Sequence, residues 1–333
     1  MRLPHLLLDR LCFTFASAEE LVRALGETVK PEEIATIERL ATLQLPPITS
    51  PHALATMLGL NDGLVWSMIN RQQRHYRTFP VPKGKHERVI HAPRVALKVF
   101  QKWLSVRLVS AYARPAHVFG FTPGFSHMDA AAQHLGAQWT FGVDIENFFP
   151  STPERLVNSK LQAMGFNELG AGVVARLACF QGNLAQGAPS SPVLSNICFS
   201  DLDQQLADIS KTYQVRMSRY PDDIILSGVE SFPTELQEDV HSLFPPSPWK
   251  LAEHKTSLNT LPNRLKVHGL LVHGEKIRLT KGYRNRIRAY QHLMDQGVIR
   301  EADRARIRGH LSYAAAVNNT PIGADSEPPA SEA

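Results

Sequence analysis

The chain has 333 residues (37.1 kDa), 43% hydrophobic and 20% charged, which is a globular composition and excludes a disordered or membrane-embedded class. No run of about 18 apolar residues is present, Asp9 and Arg10 break the apolar opening in a way a signal peptide would not, and three scattered cysteines (Cys12, Cys179, Cys198) exclude a disulfide framework and fit a reducing cytoplasm. The formal net charge of +5 says little as a total, yet residues 71–107 carry net +9 and residues 276–308 net +7, while the first fifty residues are net acidic. Such runs suit binding to a phosphate backbone.

Residues 1–60 read as helices: LLLDRLCF, then SAEELVRAL with a Ser17/Glu20 capping box, then PEEIATIERLATL with Pro31 in its first turn, and ALATMLGL after a Pro-rich joint. YRTFPVPKGKHERVIHAP predicts a hairpin with a basic tip at Lys83-Gly84-Lys85. ALKVFQKWLSVRLVSAYA predicts a helix with Leu97, Phe100, Leu104 and Leu108 on one face. QWTFGVDIENFFP reads as a strand that exits at Asp144, followed by the helix ERLVNSKLQAM, the Gly/Pro/Ser-rich QGAPSSP and the helix SNICFSDLDQQLADI. VRMSRYPDDIILSG predicts two strands around an acidic turn, LKVHGLLVHGEKIRL a further hairpin, and the remainder basic helix. TPIGADSEPPASEA lacks core-forming residues and reads as a disordered tail.

Asp144 at a strand exit and Asp222-Asp223 at a hairpin tip converge if their strands are neighbours in one sheet. Like charges that close raise each other's pKa, and a divalent cation relieves the conflict. Hard oxygen ligands favour Mg²⁺, and two such ions about 3.5–4 Å apart can activate a hydroxyl and hold a leaving pyrophosphate. A bare Asp-Asp turn is usually a solvated turn, so the weight lies on the ordered set GVDIENFFPS, QGAPSSPVLSN and RYPDDIILSG. Among 14 histidines, His254, His268 and His273 come with no HExxH or Cys/His cluster, which predicts no zinc site. His268 and His273 are expected on opposite sides of a strand, as surface or RNA-contacting residues.

The ordered set resembles motifs A, B and C of reverse transcriptases, and most specifically those of the bacterial retron type. Tyr76-x-x-Phe79-x-Val81-Pro82-Lys83 with Glu87-Arg88-x-Ile90-x-Ala92-Pro93 is similar to that family's fingers segment. Val118-x-Gly120-Phe121-x-x-Gly124-x-Ser126 resembles a second family segment, and Val267-His268-Gly269-Leu270 stands where the family carries Val-Thr-Gly-Leu. Three positions depart from the pattern: Pro221 replaces Ala in Tyr-Ala-Asp-Asp, Ala130-Ala131-Ala132-Gln133-His134 lacks the Asn of Asn-Ala-x-x-His, and His268 replaces Thr.

The resemblance implies an α+β right-hand polymerase with a ferredoxin-like antiparallel palm sheet and a helical thumb. Residues 1–60 would form an N-terminal helical region, 61–138 and 155–188 the fingers, 139–154 and 189–272 the palm, 273–320 the thumb, and 321–333 the tail. It implies two Mg²⁺ ions held by Asp144, Asp222, Asp223 and the Ile145 carbonyl, with Lys255 protonating pyrophosphate. The dNTP would meet Lys83, Arg88, Gln186 and Gly187, with Phe149 as the ring that rejects a 2′-OH; Lys276, Arg278, Lys281, Arg284 and Arg288 would bind nucleic acid. The implied partners are a structured noncoding RNA and its DNA product, dNTPs and an effector protein, with no membrane. The implied reaction is RNA-templated DNA synthesis primed from a guanosine 2′-OH, giving branched RNA–DNA in an anti-phage system. The expected chain is too short for an RNase H domain after the thumb. The rivals are another bacterial defence reverse transcriptase without a branched product, and an inactive RNA-binding scaffold for an effector.

Overall fold

The computed structural model describes residues 9–84 and 86–320; the start of the first expected helix, the hairpin-tip Lys85 and the expected tail after Thr320 lie outside the described residues. Of LLLDRLCF the described residues begin at Asp9, which is helical; beyond it the chain leaves the helix for a turn over residues 11–15, closed by a Cys12–Phe15 bridge, with Phe13 at φ +53°.

In chain order come α1 (Ala18–Leu25), α2 (Pro31–Thr42), α3 (Pro51–Leu58), α4 (Asp62–Asn70), β1 (Tyr76–Lys83), β2 (His86–Pro93), α5 (Val95–Ala111), α6 (His127–Ala132) and β3 (Trp139–Asp144). Then follow α7 (Glu154–Met164), α8 (Glu168–Ala178), β4 (Cys179–Phe180), β5 (Asn183–Leu184), α9 (Ser191–Thr212), β6 (Arg216–Tyr220), β7 (Asp223–Gly228) and α10 (Thr234–Ser242). The chain continues through β8 (Ser257–Thr260), β9 (Lys266–Val267), β10 (Leu270–Leu271), β11 (Arg278–Leu279), α11 (Lys281–Asp295) and α12 (Glu301–Asn318). The fold is α+β with antiparallel strand pairing throughout these sheets.

Two compact units emerge, one from the chain up to Ala113 with Asn147–Asp201, the other from Arg114–Glu146 with the chain from Leu202. In the first unit, Ser17 Oγ accepts from Glu20 N and starts α1 as the capping signature predicts, while Glu20 Oε2 accepts from Ala16 N, one residue before the cap. Leu97, Phe100, Leu104 and Leu108 of α5 are all buried, as their spacing requires. The β1–β2 hairpin tolerates Pro80 and Pro82 because it is a two-stranded sheet, in which each strand is an edge. Gly170 gives α8 its packing: a Cβ there would lie 2.0 Å from the Ile48 carbonyl oxygen.

The second unit is built on a four-stranded sheet of order β6-β7-β3-β8. Every residue of β3 is buried, which is why it reads as an apolar run without alternation. A separate cluster around Leu265, Val267, Leu270, Val272 and Leu279 seats the sheet β11-β10-β9 against Ala314 and Val317 of α12.

Candidate active site

The register of β3 against β7 sets Asp144 directly opposite Asp223, so the two motif carboxylates meet without any loop excursion. The backbone carries this alignment past the strand end, where Ile145 N donates to the Asp222 carbonyl (2.9 Å) and Ala252 N to the Asp144 carbonyl (2.8 Å). The latter brings in Lys255, on a short 3-10 turn, and its Nζ donates to Asp144 Oδ1 at 2.5 Å. Asp144, Ile145, Asp222, Asp223 and Lys255 are thus neighbours in the second unit.

Burial pushes the Asp144 carboxyl above the usual carboxylate range; the Lys255 ammonium opposes this and the Asp222 charge adds to it. Burial also pushes Asp223 up, but His268, the Asp144 carboxyl and Lys255 outweigh it and hold Asp223 below the usual range. Among the described residues, no group of three or more His, Cys, Asp or Glu side chains forms a ready-made metal cage. The desolvated Asp144–Asp223 pair fits Mg²⁺ in its commoner mode, in which one or two carboxylates hold the ion and water and substrate phosphates complete it.

Pro221 is accommodated. Tyr220 pairs with Asp223, so Pro221 and Asp222 form a two-residue turn, and neither has a positive φ. Two-residue hairpins usually require positive φ and therefore Gly or Asn; this turn is held from behind instead. Arg219 is completely buried and grips Asp203 with Nε to Oδ1 (2.7 Å) and Nη2 to Oδ2 (2.6 Å), while Nη1 donates to the Pro221 carbonyl (2.8 Å). Gly120 packs against the same turn, and a Cβ there would lie 2.7 Å from Pro221 Cα.

His268 corrects an expectation. It is neither on a strand nor at the surface: His268 (φ +46°) and Gly269 (φ +86°) form the turn between β9 and β10, and the imidazole is only 4% exposed. Its Nδ1 lies 3.5 Å from Asp223 Oδ2 and its ring centre 5.3 Å from that of Tyr220. The His-Gly pair between two short apolar runs was the available signal, since positive φ at both positions makes a turn that swings the side chain back. His134, matched to the family histidine, is fully buried between Ser227 Oγ (2.7 Å) and Ser218 Oγ (2.8 Å).

The remaining expected residues lie in the first unit. Lys83 ends β1, and Arg88 is exposed on β2 opposite Val81. The Gln186 carbonyl accepts from His91 N (2.8 Å), and Gly187 (φ +114°) approaches β2 so closely that a Cβ would lie 2.8 Å from Ile90 Cγ2. Phe148 is buried against Phe199, whereas Phe149 is half-buried beside it. Lys276, Arg278, Lys281, Arg284 and Arg288 are exposed in the second unit.

The family model for reverse transcriptase (RNA-dependent DNA polymerase) matches residues 81–292. The retron Ec86 reverse transcriptase of Escherichia coli is 28% identical over 87% of this chain and 92% of its own length, and the retron Mx65 reverse transcriptase of Myxococcus xanthus is 29% identical over 84% and 71%. Among solved structures, telomerase from Candida albicans aligns at a TM-score of 0.47 and 11% identity over 67% of this chain and 51% of that one. No helix among the described residues is long and apolar enough to cross a membrane. With its family model spanning the carboxylate site and its relatives aligned over most of their length, this chain belongs to the reverse transcriptases, and among them to the retron type.

Proposed function

We propose that the enzyme uses Mg²⁺ to copy part of a cognate structured noncoding RNA into DNA, starting from a guanosine 2′-OH, so that the product is a branched RNA–DNA. The observation that carries this reading is the facing Asp144–Asp223 pair, Asp144 buried and Asp223 half-buried, with Asp222 at the adjoining turn. Asp144, Asp222, Asp223 and the Ile145 carbonyl would hold two Mg²⁺ ions, which supply charge neutralisation for the attacking and leaving oxygens. Lys255, whose ammonium already reaches Asp144, delivers a proton to departing pyrophosphate. Arg219 and Gly120 hold the Pro221-Asp222 turn from behind, so that the carboxylates keep their spacing without a left-handed residue at the tip.

In the first unit, Arg88 binds the triphosphate bidentately and Lys83 acts as a point charge. Gln186 and Gly187 lie along the nucleotide, and the Phe149 ring excludes a ribose 2′-OH. The strand order β6-β7-β3-β8 supports reading the sheet as the split βαβ palm of a right-hand polymerase. On that plan the fingers comprise 61–138 and 155–188, the palm 139–154 and 189–272, and the thumb 273–320. The basic residues of 276–288 grip the RNA stem through phosphates and 2′-hydroxyls. An effector protein completes a defence system against phage.

Sequencing the nucleic acid that co-purifies with the protein tests this reading. One abundant short RNA joined covalently to DNA, absent from an Asp222→Asn/Asp223→Asn preparation, is expected. DNA synthesis without a branched product would replace the retron reaction with that of another defence polymerase.

A further inference from the structure

The basic run of residues 276–308 does not act as one field. At the start of α12, Asp303 pairs with both Arg300, the residue before the helix, and Arg306 (3.0 and 2.9 Å), and Glu301 pairs with Arg304 (3.0 Å), so two carboxylates offset two of these three charges. Arg264, Arg278, Lys281 and Arg284 differ. Among the described residues none of them has a carboxylate partner within 4 Å, although all four line one small cavity of about 170 Å³ together with His273 and Leu271.

These groups come from separate places in the fold. Arg264 precedes β9, His273 follows β10, Arg278 lies on β11, and Lys281 and Arg284 open α11. The loop is shaped to admit them: Gly274 takes φ +116°, and Arg278 Nη2 donates to the His273 carbonyl (2.7 Å). His273 Nδ1 is buried there with no hydrogen-bond partner. Cations gathered around one cavity repel one another, and an anion seated among them removes that penalty while satisfying their donors. Three of the groups are guanidiniums, the planar fork that matches phosphate oxygens.

We propose that this pocket binds one phosphate of an RNA strand and serves as a fixed anchor, distinct from the paired arginines of α12. The identity of the strand rests on the RNA-binding reading above. The chemistry is that of a phosphate oxyanion, from either an internal phosphodiester or a 5′-terminal phosphate.

The test is fluorescence anisotropy of a 3′-labelled RNA hairpin, with and without a 5′-phosphate, titrated with the full chain across a salt series. Two triple variants remove the same formal charge: Arg264→Gln/Arg278→Gln/Arg284→Gln in the pocket, and Arg300→Gln/Arg304→Gln/Arg306→Gln on α12. The pocket triple should weaken binding at least about tenfold and lower the slope of log K against log salt by about 0.7–0.9, the loss of one phosphate contact. The α12 triple should change affinity less than about threefold. A third variant with Lys at the three pocket arginines keeps the charge and should restore the slope. A pocket loss seen only with the 5′-phosphorylated hairpin assigns the terminal phosphate; an equal loss with both assigns a backbone phosphodiester. Equal losses from the two Gln triples, or wild-type binding by a pocket triple that melts like wild type, would overturn the proposal. Incorporation of dNTPs by the wild type is measured in parallel, so that failure of the polymerase reading stays separate from failure of the anchor.

Discussion

Replacing Asp203 with Asn removes one charge from a pair that the second unit buries completely, since both side chains are 0% exposed. Burial pushes the Asp203 carboxyl up, but Arg219 and His117 outweigh it and hold the group ionised below the usual carboxylate range. Breaking such a pair on one side leaves an uncompensated guanidinium and costs about 3–5 kcal/mol. For a unit of this size that corresponds to a fall of about 6–20 °C in melting temperature. Arg219 also donates to the Pro221 carbonyl, one residue before Asp222, so the damage should reach the carboxylates. A double variant separates the two effects. Arg219→Met/Asp203→Leu replaces the pair with apolar groups and should recover most of the stability, because a buried ion pair is rarely worth more than good packing. It should not recover activity, because the Pro221 carbonyl has lost its donor and the turn its rear support. Thermal melts by circular dichroism, with dNTP incorporation measured where all variants are folded, read both quantities. An Asp203→Asn protein melting within about 1 °C of wild type would refute the stability argument. Full activity in the double variant would refute the positioning argument.

Gly187→Ala should destabilise the first unit by about 1–3 kcal/mol, since the new methyl must enter a left-handed backbone 2.8 Å from Ile90 Cγ2; an unchanged urea midpoint would contradict this. His134 is held neutral with its pKa lowered to about 3, chiefly by burial, whereas the unfolded chain binds the proton near 6.5. Its contribution is therefore fully present above about pH 6.5 and declines as pH falls towards 3, by about 1.4 kcal/mol per unit. Urea unfolding at pH 7 and pH 5 should show wild type losing about 2 kcal/mol more than His134→Gln, and parallel losses would remove the assignment. Phe149→Ala should accept rNTPs at a rate much closer to dNTPs, measured as a ratio of kcat/KM; an unchanged ratio would assign the ring to packing alone.

Local pattern carried much of this structure. The spacing of Leu97, Phe100, Leu104 and Leu108 foretold the buried face of α5, and ERLVNSKLQAM is α7 from end to end. RYPDDIILSG correctly read as two strands around an acidic turn, and the strand exit at Asp144 was visible because every residue of β3 is buried. What escaped depends on partners distant in sequence. The helix α8 contains Gly170 and Gly172, poor helix formers whose presence makes sense only once Gly170 is seen against the Ile48 carbonyl. The Asp203–Arg219 pair joins a helix to a strand, and no spacing rule links the two. His268 read as exposed because strand alternation was assumed where a left-handed turn buries it. The charge runs showed where cations are but not which are neutralised. The i,i+3 spacing of Glu301 and Arg304 on a helix offers their pairing, but only the packing reveals that Arg278 faces a cavity with Arg264.

The central claim is that Asp144, Asp222 and Asp223 make one nucleotidyl-transfer site. Its most direct measurement is incorporation of labelled dNTP by purified protein on an RNA template with an annealed primer, with Mg²⁺ present. The account predicts template-dependent extension by wild type and loss of at least about a thousandfold in Asp222→Asn/Asp223→Asn, with the fold unchanged by circular dichroism. Equal extension by the two proteins, or none by wild type, would contradict it.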